Sequence, residues 1–286
     1  MSAFERALVD LSKALEIVTA TDSGMVRSHN EDSIVADASS GFVILADGMG
    51  GYNAGEVASG IAAAMLSTGL KQVLDGADPG SIEPESGETL AVKILGEQIA
   101  GANASIYQAA KSQPQYSGMG TTLVVGLFYD NRLSVAHIGD SRLYRLRGDE
   151  FKQITRDHSL LQEQIDSGMI TEEMARFSQN RNLVTRALGI DNEVEPEIHT
   201  YEVEVGDVYL LCSDGLNDMV EDDEIQLTLS SLQANLQLAS QQLVQMANDN
   251  GGRDNVSVIL VRILRDFSAN MDWISRLSSW FRLAKV

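Results

Sequence analysis

The sequence predicts an α+β fold with four layers, an α-β-β-α sandwich in which two antiparallel sheets stack and helices flank them. Its predicted strands and helices come in blocks rather than in strict alternation, which favours antiparallel sheets with helices packed outside. Three β-rich runs, residues 121–129, 133–138 and 143–146, are separated by short breaks that contain Asp130-Asn131 and Gly139-Asp140. Such breaks predict antiparallel strands joined by tight turns.

Hydrophobic periodicity places the other elements in order. Residues 1–15 are predicted to form a short helical extension, because its apolar residues fall on one helical face: Phe4, Leu8, Leu11 and Leu15. The remaining predicted strands are residues 17–20, 34–36, 42–46, 194–203, 207–212 and 255–263. The predicted helices are residues 56–74, 89–111, 158–167, 221–229 and 236–249, the last with Asn235 as a candidate N-cap. Residues 75–88 are predicted to be a surface loop, and residues 168–181 a mobile flap.

Composition indicates a soluble enzyme with one main domain. The chain has 286 residues, 44% of them hydrophobic, which is enough for a sizeable core. No apolar stretch reaches the roughly 18 residues of a membrane span, and the first residues lack the pattern of a signal peptide, so a cytoplasmic location is expected. One cysteine, Cys212, excludes an intrachain disulfide framework. The net charge of −20 disfavours nucleic acid as a ligand and favours cations or basic partners.

Three aspartates lie where predicted strands begin or end. Asp47 follows the apolar run 42–46 and precedes glycines, Asp214 follows the run 208–212, and Asp254 precedes the strand predicted from residue 255. This arrangement predicts a carboxylate-rich metal site at the ends of the sheets. Carboxylates without histidine or cysteine partners select hard cations such as Mg²⁺ or Mn²⁺, which keep water as a ligand. Water activated by two such ions can attack phosphorus in line.

Six short motifs resemble, in order and spacing, the bacterial form of the metal-dependent Ser/Thr protein phosphatases of type 2C. They are Arg27-Ser28-His29-Asn30-Glu31-Asp32, Ala46-Asp47-Gly48-Met49-Gly50-Gly51, Gly118-Met119-Gly120-Thr121-Thr122, Gly139-Asp140-Ser141-Arg142, Ser213-Asp214-Gly215-Leu216 and Arg253-Asp254-Asn255-Val256-Ser257. The resemblance covers residues 16–264, which are therefore predicted to be the phosphatase domain. It implies two central antiparallel sheets and a metal cleft at one end.

The resemblance also implies a role for each carboxylate. The first metal would be held by Asp47, Asp214 and Asp254. The second would take Asp47, the carbonyl of Gly48 and Glu31, partly through water, with Asp32 orienting the cluster. Asp140 would join Asp214 at a third, weaker site. The alternative is that these acids cap turns or helices, and Asp140 in a Gly-Asp-Ser sequence is equally consistent with a turn.

Arg27 matches the family's substrate arginine, whose guanidinium can hold a phosphoryl group by two hydrogen bonds. The alternative is a surface arginine paired with an acid. Animal members place a histidine, the general acid, where this chain has Met49. The remaining candidates for the general acid are His29 and His158, each of which is otherwise a structural histidine, and metal-bound water. Thr121 and Thr122 either start a strand or support the floor of the cleft.

Residues 265–286 are predicted to form a C-terminal amphipathic helix, with apolar residues at helical spacing and the basic residues Arg276, Arg282 and Lys285. This helix either packs on the domain or contacts a membrane surface or a partner. The predicted activity is hydrolysis of phosphoserine and phosphothreonine on proteins, opposing a bacterial Ser/Thr kinase, with two or three Mn²⁺ or Mg²⁺ ions. The alternatives are a catalytically silent regulatory module of the same fold and a phosphatase dedicated to one partner. The intact acidic set favours an enzyme over a silent module.

Overall fold

Two antiparallel sheets stack face to face, and each has helices on its outer face. The computed structural model describes residues 10–51, 53–171, 174 and 183–268. The described strands are β1 (Leu15–Asp22), β2 (Asp32–Asp37), β3 (Phe42–Met49), β4 (Gly120–Thr121), β5 (Leu123–Tyr129), β6 (Arg132–Ile138), β7 (Arg142–Arg147), β8 (Glu150–Gln153), β9 (Glu197–Glu202), β10 (Val208–Cys212) and β11 (Val256–Ile263). The described α-helices are α1 (Ala54–Leu74), α2 (Leu90–Ser112), α3 (Leu160–Asp166), α4 (Asp214–Asn217), α5 (Asp222–Ser231) and α6 (Leu236–Asp249).

The first sheet has the strand order β1-β11-β10-β7-β8, and the second has the order β2-β3-β5-β6-β9 with the short β4 paired to β3. Every ladder between these strands is antiparallel. The central strands are buried on both faces, because a helical layer covers one face and the other sheet covers the second. In β3, for example, Val43 and Leu45 point into the core between the sheets, whereas Phe42 and Ile44 point toward α1 and α2.

The outer layers are α1 and α2 on the second sheet and α5 and α6 on the first. Helix α1 packs closely because its buried face is largely alanine, with Ala58 and Ala62 fully buried beside Leu66. By length and composition alone, α1 is apolar enough to cross a membrane, an exception to the expectation from the sequence. In the structure its apolar side faces the sheet and α2, as in the core helix of a folded domain.

The four-layer prediction is confirmed, and most predicted elements agree with the structure to within a few residues. The predicted N-cap of α6 is present, because the Asn235 side chain accepts the backbone N–H of Leu238. The predicted turn at Asp130-Asn131 also joins a hairpin, between β5 and β6. The predicted turn at Gly139-Asp140 is wrong as a hairpin: β6 belongs to the second sheet and β7 to the first, so these residues cross from one sheet to the other.

The N-terminal helix is also corrected. Leu11–Lys13 forms one 3-10 turn, and Leu15 already pairs with Ile263 in the ladder of β1 and β11, because burial between the sheets favours the extended chain there. Phe4 and Leu8 lie outside the described residues. His158 precedes α3 rather than starting it, since Ser159 is the N-cap.

Two further predictions fall largely or partly outside the described residues. Of the predicted flap, residues 168–171 and 174 are described. The C-terminal helix predicted from residue 265 does not begin there, because residues 265–268 are not helical, and residues 269–286 lie outside the described part. Phe267 packs into the core between the sheets, so at least the start of this tail belongs to the domain.

Candidate metal centre

The candidate carboxylates lie where the ends of the two sheets meet. In the second sheet, Asp32 at the start of β2 is the register partner of Asp47 near the end of β3. In the first sheet, Asp214 starts α4 directly after β10, and Asp254 lies just before β11, the neighbour of β10. The Ser213 hydroxyl donates to Oδ2 of Asp32 over 2.9 Å, which joins the two sheets at this end.

The backbone of Asp47 is fixed by two threonines. The N–H of Asp47 donates to the Thr122 hydroxyl at 3.1 Å, and the carbonyl of Asp47 accepts the Thr122 N–H at 2.8 Å. The Thr121 hydroxyl donates to the same carbonyl at 2.8 Å. Both threonines are buried. They therefore support the floor of the site, and Thr121 also belongs to β4, so both roles considered from the sequence are present.

Glu31 and Gly48 lie against each other because their backbones are in direct contact. The N–H of Gly48 donates to the carbonyl of Glu31 at 3.1 Å. A Cβ atom at Gly48 would lie 2.2 Å from the carbonyl oxygen of Gly55 and 2.6 Å from that of Glu31, so only glycine fits. The same packing brings the Glu31 carboxyl carbon close to Gly55, at the start of α1.

Asn255 holds the loop that carries Arg27 and Glu31. Its side-chain oxygen accepts the N–H of Glu31 at 2.8 Å, and its amide donates to the carbonyls of Ser23 at 3.0 Å and His29 at 2.9 Å. Asn255 is almost fully buried. Asn255 lies in one of the six motifs, but its role could not be predicted from the sequence, because its partners lie more than 220 positions away in the chain.

Arg27 lies at the edge of this cluster. Its guanidinium donates to Oδ2 of Asp254 at 2.6 Å, and its side chain is 50% exposed. A phosphoryl group arriving from solvent can therefore reach it. The alternative for Arg27 was a surface arginine paired with an acid, and this pairing is present. Its partner, Asp254, is itself a candidate metal ligand.

The electrostatics of the cluster strongly disfavour its charged form. Desolvation, followed by repulsion from Asp32 and Asp214, raises the pKa of Asp47 well above its usual value. Desolvation and then Asp140 do the same to the pKa of Asp214. Burial raises the pKa of Asp32 to about 6 although hydroxyl hydrogen bonds oppose the shift, and burial with the charge of Asp157 raises the pKa of Asp140 to about 6.

This donor set fits divalent cations. The charges of Asp32, Asp47, Asp140 and Asp214 repel one another, and Oδ1 of Asp32 is buried without a hydrogen-bond partner in the part of the chain that the structure describes. A buried charged oxygen without a partner is costly unless a cation binds it. Several carboxylates and a backbone carbonyl, with no histidine or cysteine among these candidates, match the ligands of Mn²⁺ and Mg²⁺.

The two histidine candidates differ in position. His29 is exposed, and its backbone carbonyl is held by Asn255. His158 is 7% exposed, and its Nδ1 accepts the backbone N–H of Gly139, so its ring lies behind the loop that carries Asp140. Met49 pairs with Gly120 at the end of β3 and has no ionisable proton. This geometry argues against His158 as a proton donor to a leaving group.

The fold and the site define a two-sheet α+β protein with a carboxylate centre for divalent cations, and comparison with known proteins gives its family. Residues 25–257 match the family model for Protein phosphatase 2C. The serine/threonine protein phosphatase PstP of Mycobacterium tuberculosis is 41% identical over 251 residues, which are 87% of this chain and 45% of PstP. The chain thus spans about half of that relative.

In two other comparisons, the matched region covers almost the whole of the other protein. The protein phosphatase PhpP of Streptococcus pneumoniae is 38% identical over 252 residues, 86% of this chain and 97% of PhpP. The crystal structure of the PstP catalytic domain in complex with two manganese ions superposes with a TM-score of 0.75 at 39% identity, over 88% of this chain and 99% of that one. The chain belongs to the protein phosphatase 2C family.

Proposed function

We propose that this chain is a metal-dependent phosphatase that hydrolyses phosphoserine and phosphothreonine on proteins. The observation that carries the proposal is the convergence of carboxylates from both sheets in a chain of the protein phosphatase 2C family, with Oδ1 of Asp32 lacking a partner among the described residues. Relatives named as serine/threonine phosphatases support the substrate class. We assign the phosphatase domain to residues 16–264.

In this proposal Asp47, Asp214 and Asp254 hold the first ion, and Asp47, the carbonyl of Gly48 and Glu31 hold the second. Asp140 and Asp214 form a third, weaker site. Mn²⁺ is supported by the manganese-bound relative, and Mg²⁺ accepts the same oxygen ligands. When bound, the ions supply an acidified water and a positive field at the phosphoryl group.

The chain's own residues then do the positioning. Asp32 orients the cluster through its register pairing with Asp47 and its hydrogen bond from Ser213. When the substrate binds, the guanidinium of Arg27 leaves Asp254 and donates hydrogen bonds to two oxygens of the phosphoryl group. A guanidinium fits this two-bond geometry better than an ammonium group does. His29 is the remaining side-chain candidate for the proton donor, because it is exposed near Arg27 whereas His158 is turned away.

We further infer that the enzyme acts in the cytoplasm against a Ser/Thr kinase, as its family membership supports. The alternative is a silent regulatory module that acts by protein contact. The presence of Asp47, Asp214 and Asp254 in one cluster favours the enzyme, because a module without activity has no need of a desolvated acidic set that destabilises the metal-free fold.

The test is phosphate release from a phosphothreonine peptide by the purified chain, with Mn²⁺, with Mg²⁺ and with a chelator. We expect metal-dependent release that is lost in Asp254→Asn. Asp149→Asn, a change of the same chemistry at an exposed turn, should match the wild type and serves as the control. Release that persists in the chelator, or in Asp254→Asn, would contradict the metal mechanism. No release with either metal would favour the silent module.

A further inference from the structure

Three of the four histidines of this chain meet around one carboxylate behind the metal centre. The rings of His137, on β6, and His158 stack with their centroids 4.8 Å apart and their planes within 16° of parallel. Glu197, on β9, has one carboxylate oxygen 3.6 Å from Nε2 of His158 and the other 2.8 Å from Nε2 of His199. His137 and His158 are buried, and His199 is exposed.

Hydrogen bonds define where the ring protons lie. Nε2 of His137 faces the carbonyl of Arg156 at 2.8 Å, so this nitrogen must carry the proton. Nδ1 of His158 accepts the backbone N–H of Gly139 at 3.2 Å, so its proton is on Nε2, which lies 3.6 Å from Glu197 and has no hydrogen-bond partner among the described residues. Burial lowers the pKa of both imidazoles, which supports neutral rings.

These proton positions argue against a cation site at the cluster. Two imidazoles and a carboxylate within reach of one another resemble the ligands of a transition metal. A metal on Nε2 of His158 would force the ring proton onto Nδ1, against the N–H of Gly139. The hydrogen bond from Gly139 and the stacking on His137 therefore hold the His158 ring in one orientation.

His158 makes two hydrogen bonds to Gly139, one through its backbone and one through its ring. Its backbone N–H donates to the carbonyl of Gly139 at 2.9 Å, while its ring accepts the Gly139 N–H. Arg142 reinforces the contact, because its Nε and Nη2 donate to the carboxylate of Asp157, the residue before His158, at 2.7–3.0 Å. The two segments, residues 139–142 and 157–158, are thus joined by side chain and backbone together.

The next residue after Gly139 is Asp140, the candidate ligand of the third ion. Gly139 has φ +103°, and a Cβ atom there would lie 2.7 Å from the Thr122 side chain. Gly139 is thus packed closely against Thr122, which limits its movement toward Thr122. Ser141 and Thr122 share a hydrogen bond of 2.7 Å between their hydroxyls. Asp140 is therefore held between two fixed neighbours, Gly139 and Ser141.

We propose that His158, held in one tautomer by the backbone N–H of Gly139 and stacked on His137, is a positioning residue for Asp140 and thereby sets the affinity of the third, weakest ion. The inference rests on the proposed function, since it concerns one ion of that site. The loop after the predicted flap is tied to the same residue, because the N–H of Thr185 donates to the carbonyl of His158 at 2.8 Å. Without the ring acceptor, the buried N–H of Gly139 has no partner and the loop must shift to find one.

The test uses two variants that separate ring shape from hydrogen bonding. His158→Phe keeps the ring and its stacking but loses the acceptor, and His158→Asn loses the ring but places an amide oxygen close to the position of Nδ1. His199→Gln, an exposed member of the cluster, is the control. Melting temperature checks that each variant folds. Mn²⁺ binding is counted by titration calorimetry, and phosphate release is followed against Mn²⁺ concentration.

For His158→Phe we expect the weakest Mn²⁺ to bind about tenfold less tightly or worse, as for loss of a group that orients a metal ligand. The tighter ions should be unchanged, and kcat should recover at high Mn²⁺ with KM for the peptide unaltered. His158→Asn should retain most of the affinity, and His199→Gln all of it. Identical Mn²⁺ titrations for His158→Phe and the wild type, or equal losses in the two His158 variants, would overturn the inference.

The nitrogen-15 chemical shifts of the His158 ring give a readout that needs neither metal nor substrate. We expect a protonated Nε2 and an unprotonated Nδ1 in the metal-free protein. The opposite pattern would refute the inference. If the wild type released no phosphate, the proposed function would fail, while the calorimetry and the ring shifts would still decide the role of His158.

Discussion

Asn255→Ala is expected to destabilise the fold, because the Asn255 side chain holds the loop that carries Arg27 and Glu31. The Asn255 side chain makes three hydrogen bonds to backbone groups of the loop 23–31, at 2.8, 2.9 and 3.0 Å, and it is 5% exposed. Each such bond contributes about 0.5–1.5 kcal/mol net. The loss should therefore be about 1.5–4.5 kcal/mol in the free energy of unfolding, or about 3–18 °C in melting temperature for a domain of this size.

The assay is urea unfolding of the metal-free protein, so that metal binding does not add to the difference. The matched control is Asn250→Ala, which loses one hydrogen bond, to the carbonyl of Met219 at an exposed position, and should cost about 0.5–1 kcal/mol. Because Glu31 and Arg27 lie on the released loop, Asn255→Ala should also weaken Mn²⁺ binding. A loss no larger than that of Asn250→Ala would refute the argument that Asn255 fixes this loop.

Three further outcomes are expected. Asp47→Asn should abolish turnover yet raise the melting temperature of the metal-free protein, because it removes a charge that desolvation and its neighbours destabilise; a lower melting temperature would contradict this electrostatic account. Arg27→Ala should raise KM for a phosphopeptide about tenfold or more with little change in the melting temperature, because its ion pair with Asp254 is exposed; an unchanged KM would remove the phosphoryl clamp. The increase in melting temperature on adding Mn²⁺ should grow between about pH 5 and pH 7.5, and a gain independent of pH would contradict the raised pKa values of Asp32 and Asp140.

The sign of the pH effect follows from the direction of these shifts. The folded-state pKa of Asp32 and of Asp140 is about 6, above the value of 3.8 for the unfolded chain. Their protonated forms therefore stabilise the metal-free fold below about pH 4, and this contribution is lost as the pH rises through 6, at up to about 1.4 kcal/mol per pH unit for each group. The lowered pKa values of His137 and His158 act in the opposite direction. They act on the metal-free and metal-bound protein alike, so the difference on adding Mn²⁺ isolates the carboxylates.

Local patterns in the sequence predicted the fold well where neighbouring residues decide the structure. The runs that became β3, β5, β10 and β11 are apolar on both faces, and the helical periodicity of α1, α2 and α6 is carried by residues three and four apart. The sequence did not predict that Gly139-Asp140 joins two sheets, because a short glycine-containing break between two β-rich runs has the same local pattern in a hairpin and in a crossing. Strand β8 was missed, since its four residues alternate only between exposed and partly buried.

The same distinction between local patterns and long-range contacts applies to the metal centre. Asp47, Asp214 and Asp254 were predicted because each lies at an end of an apolar run, whereas Glu31, Asp32 and Asp140 were predicted from the family resemblance. The residues that hold them could not be found in this way: Ser213 reaches Asp32, Asn255 reaches Glu31 and Thr122 reaches Asp47 over separations of 75 residues or more. Their side chains act on backbone groups or on single oxygens, which leaves no periodic pattern in the sequence.

These supporting contacts explain how the domain can hold repelling carboxylates together without a metal. Asp47 and Asp32 are register partners in the ladder of β2 and β3, and the peptide of Asp47 is hydrogen-bonded by Thr121 and Thr122. Repulsion between the two aspartates therefore cannot separate them without breaking β-sheet hydrogen bonds. Asp140 has no such strand around it, because it lies in the crossing between the sheets. The position of Asp140 depends instead on the two hydrogen bonds between His158 and Gly139. An ion whose ligand lies in a loop outside the β-sheet ladders should be the first to dissociate, so the order in which the ions leave on dilution should follow the rigidity of the carboxylates that hold them.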